Sequence, residues 1–410
     1  MSSITTSSKR RDFERLGDYR PGGYHPIHLG DVISHKQDLI TRQYRVLYKL
    51  DHDDISTEWL GQRLDNDLYV VLNIGIARLR RGREDDLAVT LGALPSAPAQ
   101  GSEHILRYLD HFELSGPNGI HTVFVSNLRW PIDHPGVRLQ WDTRVLAYQC
   151  CLALQYLHAH GFIHAGISER SFSLGMREYK PEQFEHLRLR MGLPHCRPAL
   201  PDDPESDLHR IPKYLCASSA LMNARRSFFA DVHTSQVRIL LDRFVNTSRP
   251  QETVRNPISH MRYSSPEMII FQRSCTAKDD VWALGMTKLL LMITGDLFIS
   301  PELALHDQLK LITTKLGPLP PQYWNACHPK PYELRDREQL EHSALSTWQA
   351  VRECYLSTRL RIAPTGQALE RDARELENLL RSMLNYHSDQ RPSMADISRH
   401  PFFSGLSSAL

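Results

Sequence analysis

WDTRVLAYQCCLALQYLHAH at residues 141–160, followed by GFIHAGI at 161–167, is the stretch from which the fold is read. Leu146, Cys150, Ala153 and Leu157 recur at three- and four-residue intervals, which predicts a long amphipathic helix over Trp141–His160. The two flanks of this helix differ in kind. Upstream, Tyr44–Leu50, Thr57–Arg63 and Leu68–Ile76 have strand character, as do Ile105–Phe112 and His121–Val125. A short helical candidate, Asp85–Leu94, ends before Pro95, and residues 95–104 read as a loop. Residues 1–20 are polar and charged and predict a loosely ordered tail. Downstream, residues 176–235 are irregular, with Leu193-Pro194 and Pro198–Pro204 as turns, and suggest an insert or extended connection. Val281–Ile293 is apolar nearly all round and predicts a buried helix, started by Asp279 or Asp280 and ended by Gly295. Further helices are expected near 303–316, 367–384 and 393–399. A small strand-rich lobe followed by a helical one is the outcome.

Composition narrows the class. A chain of 410 residues suits one large bilobal unit or two domains, and 41% apolar residues suffice for a sizeable core. The formal charge is +2, so no global basic field points to direct contact with nucleic acid or an anionic membrane. Arg78, Arg80, Arg81 and Arg83 form a local basic run whose simplest reading is a solvated loop. The 7 cysteines include no C-x-x-C pair, so neither a zinc site nor a disulfide framework is indicated, and Cys150 and Cys151 read as core thiols. No window of about 18 apolar residues exists, and Met1–Lys9 lacks the apolar region of a signal peptide. The expectation is an intracellular chain, in the cytoplasm or the nucleus.

Several short pieces carry a resemblance through their order and spacing. They are YRPGGYHPIHLGD at Tyr19–Asp31, RQYRVLYKL ahead of STEWL at 56–60, and HAHGFIHAGI at His158–Ile167. They continue with SPE at 265–267, DVWALG at 280–285, SDQRPS around Arg391 and HPFF at 400–403. Together they resemble the eukaryotic protein kinases and, among them, the SR-protein-specific kinases. That family reads S-T-V-W-L, H-T-D-I-K-P-x-N, A-P-E and D-x-W-x-x-G at the corresponding places. The resemblance implies an α+β, bilobal protein-kinase-like fold. Residues 1–42 would be an N-terminal extension, 43–128 the small β-rich lobe, and 129–410 the larger, mainly helical lobe with an insert at about 176–235.

Phosphoryl transfer needs cations, metal ligands and a hydroxyl-orienting base. The phosphate-covering loop of the family needs glycines, but Asp51 and Asp53 stand at both glycine positions. A carboxylate about 4 Å from a phosphate costs roughly 4 kcal/mol at an effective dielectric of 20. Asn73 replaces the third-strand lysine, and a gapless reading puts Leu87 at its glutamate partner, with Asp86 one position off. No lysine lies between residues 50 and 178, Lys49 sits before the loop on the first strand, and Arg63 on the second strand is the other candidate for a relocated cation. In the catalytic loop, Gly166 replaces the base aspartate, Ser168 the following lysine and Ser171 the metal-binding asparagine. VRILLD at Val237–Asp242 resembles the strand leading into D-F-G, which makes Asp242 a candidate metal ligand, although Arg243-Phe244 follow it and a one-residue shift puts Leu241 there instead. Positioned acid–base groups are worth about 10²–10⁴-fold and electrostatic stabilisers about 10²–10³-fold each.

Scaffold positions remain. Glu267 and Arg391 are expected to form a partly buried ion pair, Asp280 to accept catalytic-loop N–H groups, and Trp282 and His164 to be core residues. Kept fold positions beside lost chemical positions imply a non-catalytic kinase-like domain that binds or scaffolds. The expected partners are Arg-Ser-rich proteins or a related active kinase, with no cofactor. The alternative is a serine/threonine kinase that uses ATP and magnesium through relocated groups.

Overall fold

The computed structural model describes residues 13–37, 40–77, 99–131, 142–176, 187, 189–201, 207–218, 233–249, 263–289, 305–359 and 367–406. It divides into two units. The first comprises residues 1–95, 106–130 and 175–237, the second residues 96–105, 131–174 and 238–410.

Alternating apolar residues build the first unit around a six-stranded antiparallel sheet. Its strands are β1 (Val32–Gln37), β2 (Ile40–His52), β3 (Ser56–Arg63), β4 (Tyr69–Gly75), β5 (Tyr108–Gly116) and β6 (Gly119–Asn127). They lie in the order β1-β2-β3-β4-β6-β5. One sheet face buries Tyr44, Val46, Trp59, Val70, Leu72 and Val123 in a single core cluster. Each such side chain contributes about 1.5–3 kcal/mol by leaving water. β1 was not expected from sequence. It is an edge strand whose Ser34, His35 and Lys36 mask the apolar signal of Ile33.

Two expectations change here. Residues 13–20 are not a loose tail: Phe13 and Leu16 pack against Tyr19, Tyr24 and Leu215, and Glu14 is buried. The stretch 176–235, read as an insert of the helical part, falls within residues 175–237, which group instead with the sheet unit. The reason is packing. β8 (Cys196–Pro198) pairs with β9 (Tyr214–Cys216), Cys216 enters the sheet core, and the Tyr214 hydroxyl accepts the Leu29 N–H at 3.0 Å.

The second unit is mainly helical. Asp142 caps α1 (Thr143–Ala159) by accepting the Arg144 N–H at 2.9 Å. β7 (Phe172–Met176) and β10 (Val237–Leu241) are neighbouring strands beyond it. Then follow α2 (Pro266–Phe271), α3 (Ala277–Leu284), α4 (Leu305–Leu316), α5 (Pro321–Ala326), α6 (Arg337–Arg359), α7 (Gln367–Met383) and α8 (Met394–Ser398). α3 starts earlier than its apolar run suggested. Thr276, not Asp279 or Asp280, is its N-cap, with the Thr276 N–H and hydroxyl both donating to Asp279 Oδ2 at 2.8 Å. Gly295 and the helical candidate Asp85–Leu94 lie outside the described residues, as does the basic run 78–83. α6 escaped the sequence reading because Trp348, Val351 and Tyr355 are a narrow buried stripe on a largely polar helix. Among the described residues no helix is long and apolar enough to cross a membrane.

Candidate active site

In the first unit, strand register brings three polar residues into line. Asp51 pairs with Glu58 across β2 and β3, and Glu58 pairs with Asn73 across β3 and β4. Directly opposed residues share a face, so carboxylate, carboxylate and amide stand in one row. The Asn73 amide donates to Glu58 Oε1 at 3.0 Å and to Ser56 Oγ at 3.3 Å. Arg129 donates to the same Oε1 at 2.8 Å, and both charged side chains are only 5% exposed. Sequence reasoning missed Arg129. The available signal was Glu58 itself, since a carboxylate inside a buried strand requires a cation or several donors.

Asp53 has a local duty. Its Oδ1 accepts the N–H groups of Ile55 at 3.0 Å and Ser56 at 2.8 Å, which closes the turn between β2 and β3. The Tyr24 hydroxyl donates to the Asp53 carbonyl. Leu87 lies outside the described residues.

Lys49 belongs to the other face of the sheet. It opposes Trp59, the neighbour of Glu58 along β3, and its ammonium lies 5.3 Å from the Trp59 ring centroid. There it forms a buried ion pair with Glu14, whose other oxygen accepts the Tyr19 hydroxyl at 2.6 Å. Burial alone would raise the Glu14 carboxyl, but Lys49 and Tyr19 outweigh it and hold the pKa below the ordinary carboxylate value.

In the second unit, Asp280 organises the segment that resembles a catalytic loop. Its Oδ2 accepts the His164 N–H at 2.7 Å and contacts His158 Nε2 at 2.9 Å, while Oδ1 accepts the Ala165 N–H at 2.9 Å. Those bonds hold Ala165 at φ 55°, a left-handed conformation that costs an L residue about 1–2 kcal/mol. His164 is fully buried, and its Nε2 contacts the Asp242 carbonyl at 2.9 Å. The carbonyl can only accept, so Nε2 carries the proton. Burial lowers the His164 pKa, which keeps the ring neutral.

The next positions close on themselves. Ser171 Oγ donates to the Gly166 carbonyl at 2.9 Å and accepts the Ser168 N–H at 3.0 Å. The Ser171 carbonyl accepts the Asp242 N–H at 2.8 Å. Ser168 caps the turn Glu169–Ser171. Gly166 supplies only backbone. Asp242 is buried, and its Oδ1 accepts the Arg243 N–H at 2.6 Å. Among the described residues no three His, Cys, Asp or Glu side chains converge as metal ligands do.

Glu267 at the start of α2 meets Arg391 in a bidentate pair, at 2.7 Å and 2.8 Å. Arg273 joins Glu267 at 3.0 Å and Asp279 at 2.8 Å, and the Arg391 guanidinium lies 4.8 Å from the buried Trp282 ring.

Comparisons with known proteins bear on the fold. The protein kinase domain family matches residues 241–403, less than half of the chain. Serine/threonine-protein kinase SKY1 of Saccharomyces cerevisiae is 33% identical over 180 residues, which are 40% of this chain and 23% of that protein. Protein kinase dsk1 of Schizosaccharomyces pombe is 31% identical over 166 residues, 38% of this chain and 29% of that protein. SRSF protein kinase 3 of Homo sapiens is 27% identical over 169 residues, 38% and 28% of the two chains. The matches therefore span about a quarter of the length of these curated relatives. A solved kinase-domain crystal structure superposes with a TM-score of 0.53 at 14% identity, covering 88% of this chain and 95% of its own. The fold is the α+β, bilobal fold of protein kinases.

Proposed function

We propose that this chain is an SR-protein-kinase-like domain that binds protein partners and does not transfer phosphate. The observation that carries the reading is the row Asp51–Glu58–Asn73, where the family has glycine and lysine around a triphosphate. The cation found there, Arg129, already serves Glu58. A nucleoside triphosphate with magnesium does not fit these residues. In the first unit the carboxylates of Asp51 and Glu58 stand where a triphosphate would need cations by analogy with the family, and in the second the Ser171 hydroxyl, at the position that resembles the metal-binding one, is engaged by loop backbone. Gly166 has no group to accept a proton. What remains is a rigid frame, held by Asp280 and by Glu267–Arg391, suited to presenting a binding surface. The relative named SRSF protein kinase 3 makes Arg-Ser-rich proteins of the cytoplasm or nucleus the first partners to test.

The test is thermal unfolding of the purified chain with ATP, with and without magnesium, beside transfer of radiolabelled phosphate to an Arg-Ser repeat peptide. No magnesium-dependent rise and no label are expected. A rise together with label on the peptide would instead establish the second reading, a serine/threonine kinase using relocated groups. The names of the relatives, and the persistence of Asp242, favour that reading.

A further inference from the structure

We propose that Cys196 and Cys216 form a reversible, peroxide-responsive disulfide. The two residues are direct partners in the antiparallel β8–β9 pair. Ala217 N–H donates to the His195 carbonyl at 2.8 Å, so 217 and 195 bond to each other and the 216–196 pair is a non-hydrogen-bonded one. Side chains approach closest at such pairs, whose Cα atoms stand about 4.5 Å apart, inside the range of about 4.4–6.8 Å that a disulfide spans. The two sulfurs are in hydrogen-bond contact at 2.8 Å, and both cysteines are free thiols. No other backbone rearrangement is needed to bring them together.

Their environments assign the roles. Cys196 is half-buried and within reach of a small oxidant, whereas Cys216 lies in the sheet core. Burial, followed by the hydrogen bond to Cys196, pushes the Cys216 thiol well above its ordinary value. Cys196 is therefore the peroxidatic sulfur. Its thiol loses a proton to solvent, and the thiolate attacks one oxygen of hydrogen peroxide. The O–O bond breaks, water leaves after protonation, and Cys196 becomes a sulfenic acid. Cys216 sulfur then attacks Cys196 sulfur. The S–S bond forms as the S–O bond breaks, and the Cys216 proton departs with the hydroxyl as a second water. Two thiols lose two electrons, and one peroxide becomes two waters.

The bond would act on the unit that holds the Asp51–Glu58–Asn73 row. Leu215 packs on Tyr19 and Tyr24, and Cys216 on the sheet core, so the link closes a loop between β8 and β9 within the segment that packs there.

The full-length chain is treated with hydrogen peroxide, unfolded, alkylated and digested without reductant. A cross-linked peptide containing Cys196 and Cys216 is expected, with a thermal midpoint a few degrees above that of the reduced chain, both reversed by dithiothreitol. Cys196→Ser should abolish the cross-link while keeping the reduced-state midpoint. Cys216→Ala should leave a Cys196 sulfenic acid that dimedone traps, and this readout survives moderate destabilisation. The half-buried Cys354→Ser serves as control and should change nothing. The proposal is overturned if Cys196 is driven to sulfinic acid while Cys216 stays alkylatable, or if neither thiol responds.

Discussion

Lys49 and Asn73 point to opposite faces of one sheet. Lys49 opposes Trp59 and Asn73 opposes Glu58, and Trp59 and Glu58 are consecutive on β3. The lysine nearest in sequence to the lost phosphate-binding position is thus committed to Glu14. Replacing it strands a buried carboxylate. Lys49→Met should cost about 3–5 kcal/mol in urea unfolding. A loss below about 1 kcal/mol would mean that the ion pair does not anchor residues 13–20.

Restoring chemistry at the substituted positions should fail. The triple change Asp51→Gly, Asn73→Lys and Gly166→Asp returns a glycine, a cation and a base. Yet Glu58 remains opposite position 73 to capture the new ammonium, and Ser171 still closes the loop. No magnesium-dependent thermal stabilisation by ATP is expected, and no label on an Arg-Ser peptide. Transfer above background would show that the three positions alone separate this chain from an active kinase.

Glu58 and Arg129 should behave as a unit. Arg129→Met takes the guanidinium away from a buried carboxylate, which typically costs about 3–5 kcal/mol. The double change Glu58→Val with Arg129→Met removes both charges, and buried pairs replaced by apolar residues are often neutral in stability. The double variant should therefore lie closer to the parent than the single one. A double-mutant cycle from urea midpoints measures the coupling.

His25 gives a signed pH dependence. Burial, and then the His121 ring 4.8 Å away, lower its pKa from 6.5 to about 4. In the unfolded chain the group takes a proton near pH 6.5, and in the folded chain only near pH 4. The unfolded state binds more protons in between, so stability is full above pH 6.5 and falls as pH drops toward about 4. The slope from this group approaches about 1.4 kcal/mol per pH unit. His25→Gln should flatten the curve in that window, read from urea midpoints at pH 7, 6, 5 and 4. An unchanged slope would remove His25 as its origin.

Legibility from sequence tracked how local each cause is. α1 was readable because Leu146, Cys150, Ala153 and Leu157 repeat on one face, and the strands because Tyr44, Trp59 and Leu72 lie in alternating runs. β1 and α6 were not, because polar residues outnumber the buried stripe in each. Candidate positions such as Gly166 and Asn73 followed from motif order alone. Their partners did not. Arg129 reaches Glu58 from 71 residues away, and Cys196 meets Cys216 across 20 through strand pairing, so neither contact is local in sequence. Glu14 was lost in a stretch whose average polarity hid three core residues, Phe13, Leu16 and Tyr19.

Glu267 and Arg391 permit a test in which burial is the main variable. Their pair lies at 2.7 Å with side chains 3% and 0% exposed, whereas Arg337 and Glu341 on α6 lie at 3.6 Å with 45% and 58% exposed. In water the exposed charges are screened and their long side chains lose entropy on pairing, so Arg337→Ala should change stability by less than about 0.5 kcal/mol. Inside the second unit nothing replaces the lost partner in full. Arg273 also contacts Glu267, but it is 30% exposed and shared with Asp279. Arg391→Leu also removes the bonds to the Asn385 and Lys278 carbonyls at 2.8 Å and 3.1 Å and the guanidinium beside Trp282. The expected cost is about 3–5 kcal/mol in urea unfolding. Glu267→Gln should cost less, because an amide still accepts from Arg273 and its loss leaves a cation with two backbone partners. Equal effects of Arg391→Leu and Arg337→Ala would show that this network does not hold the frame together.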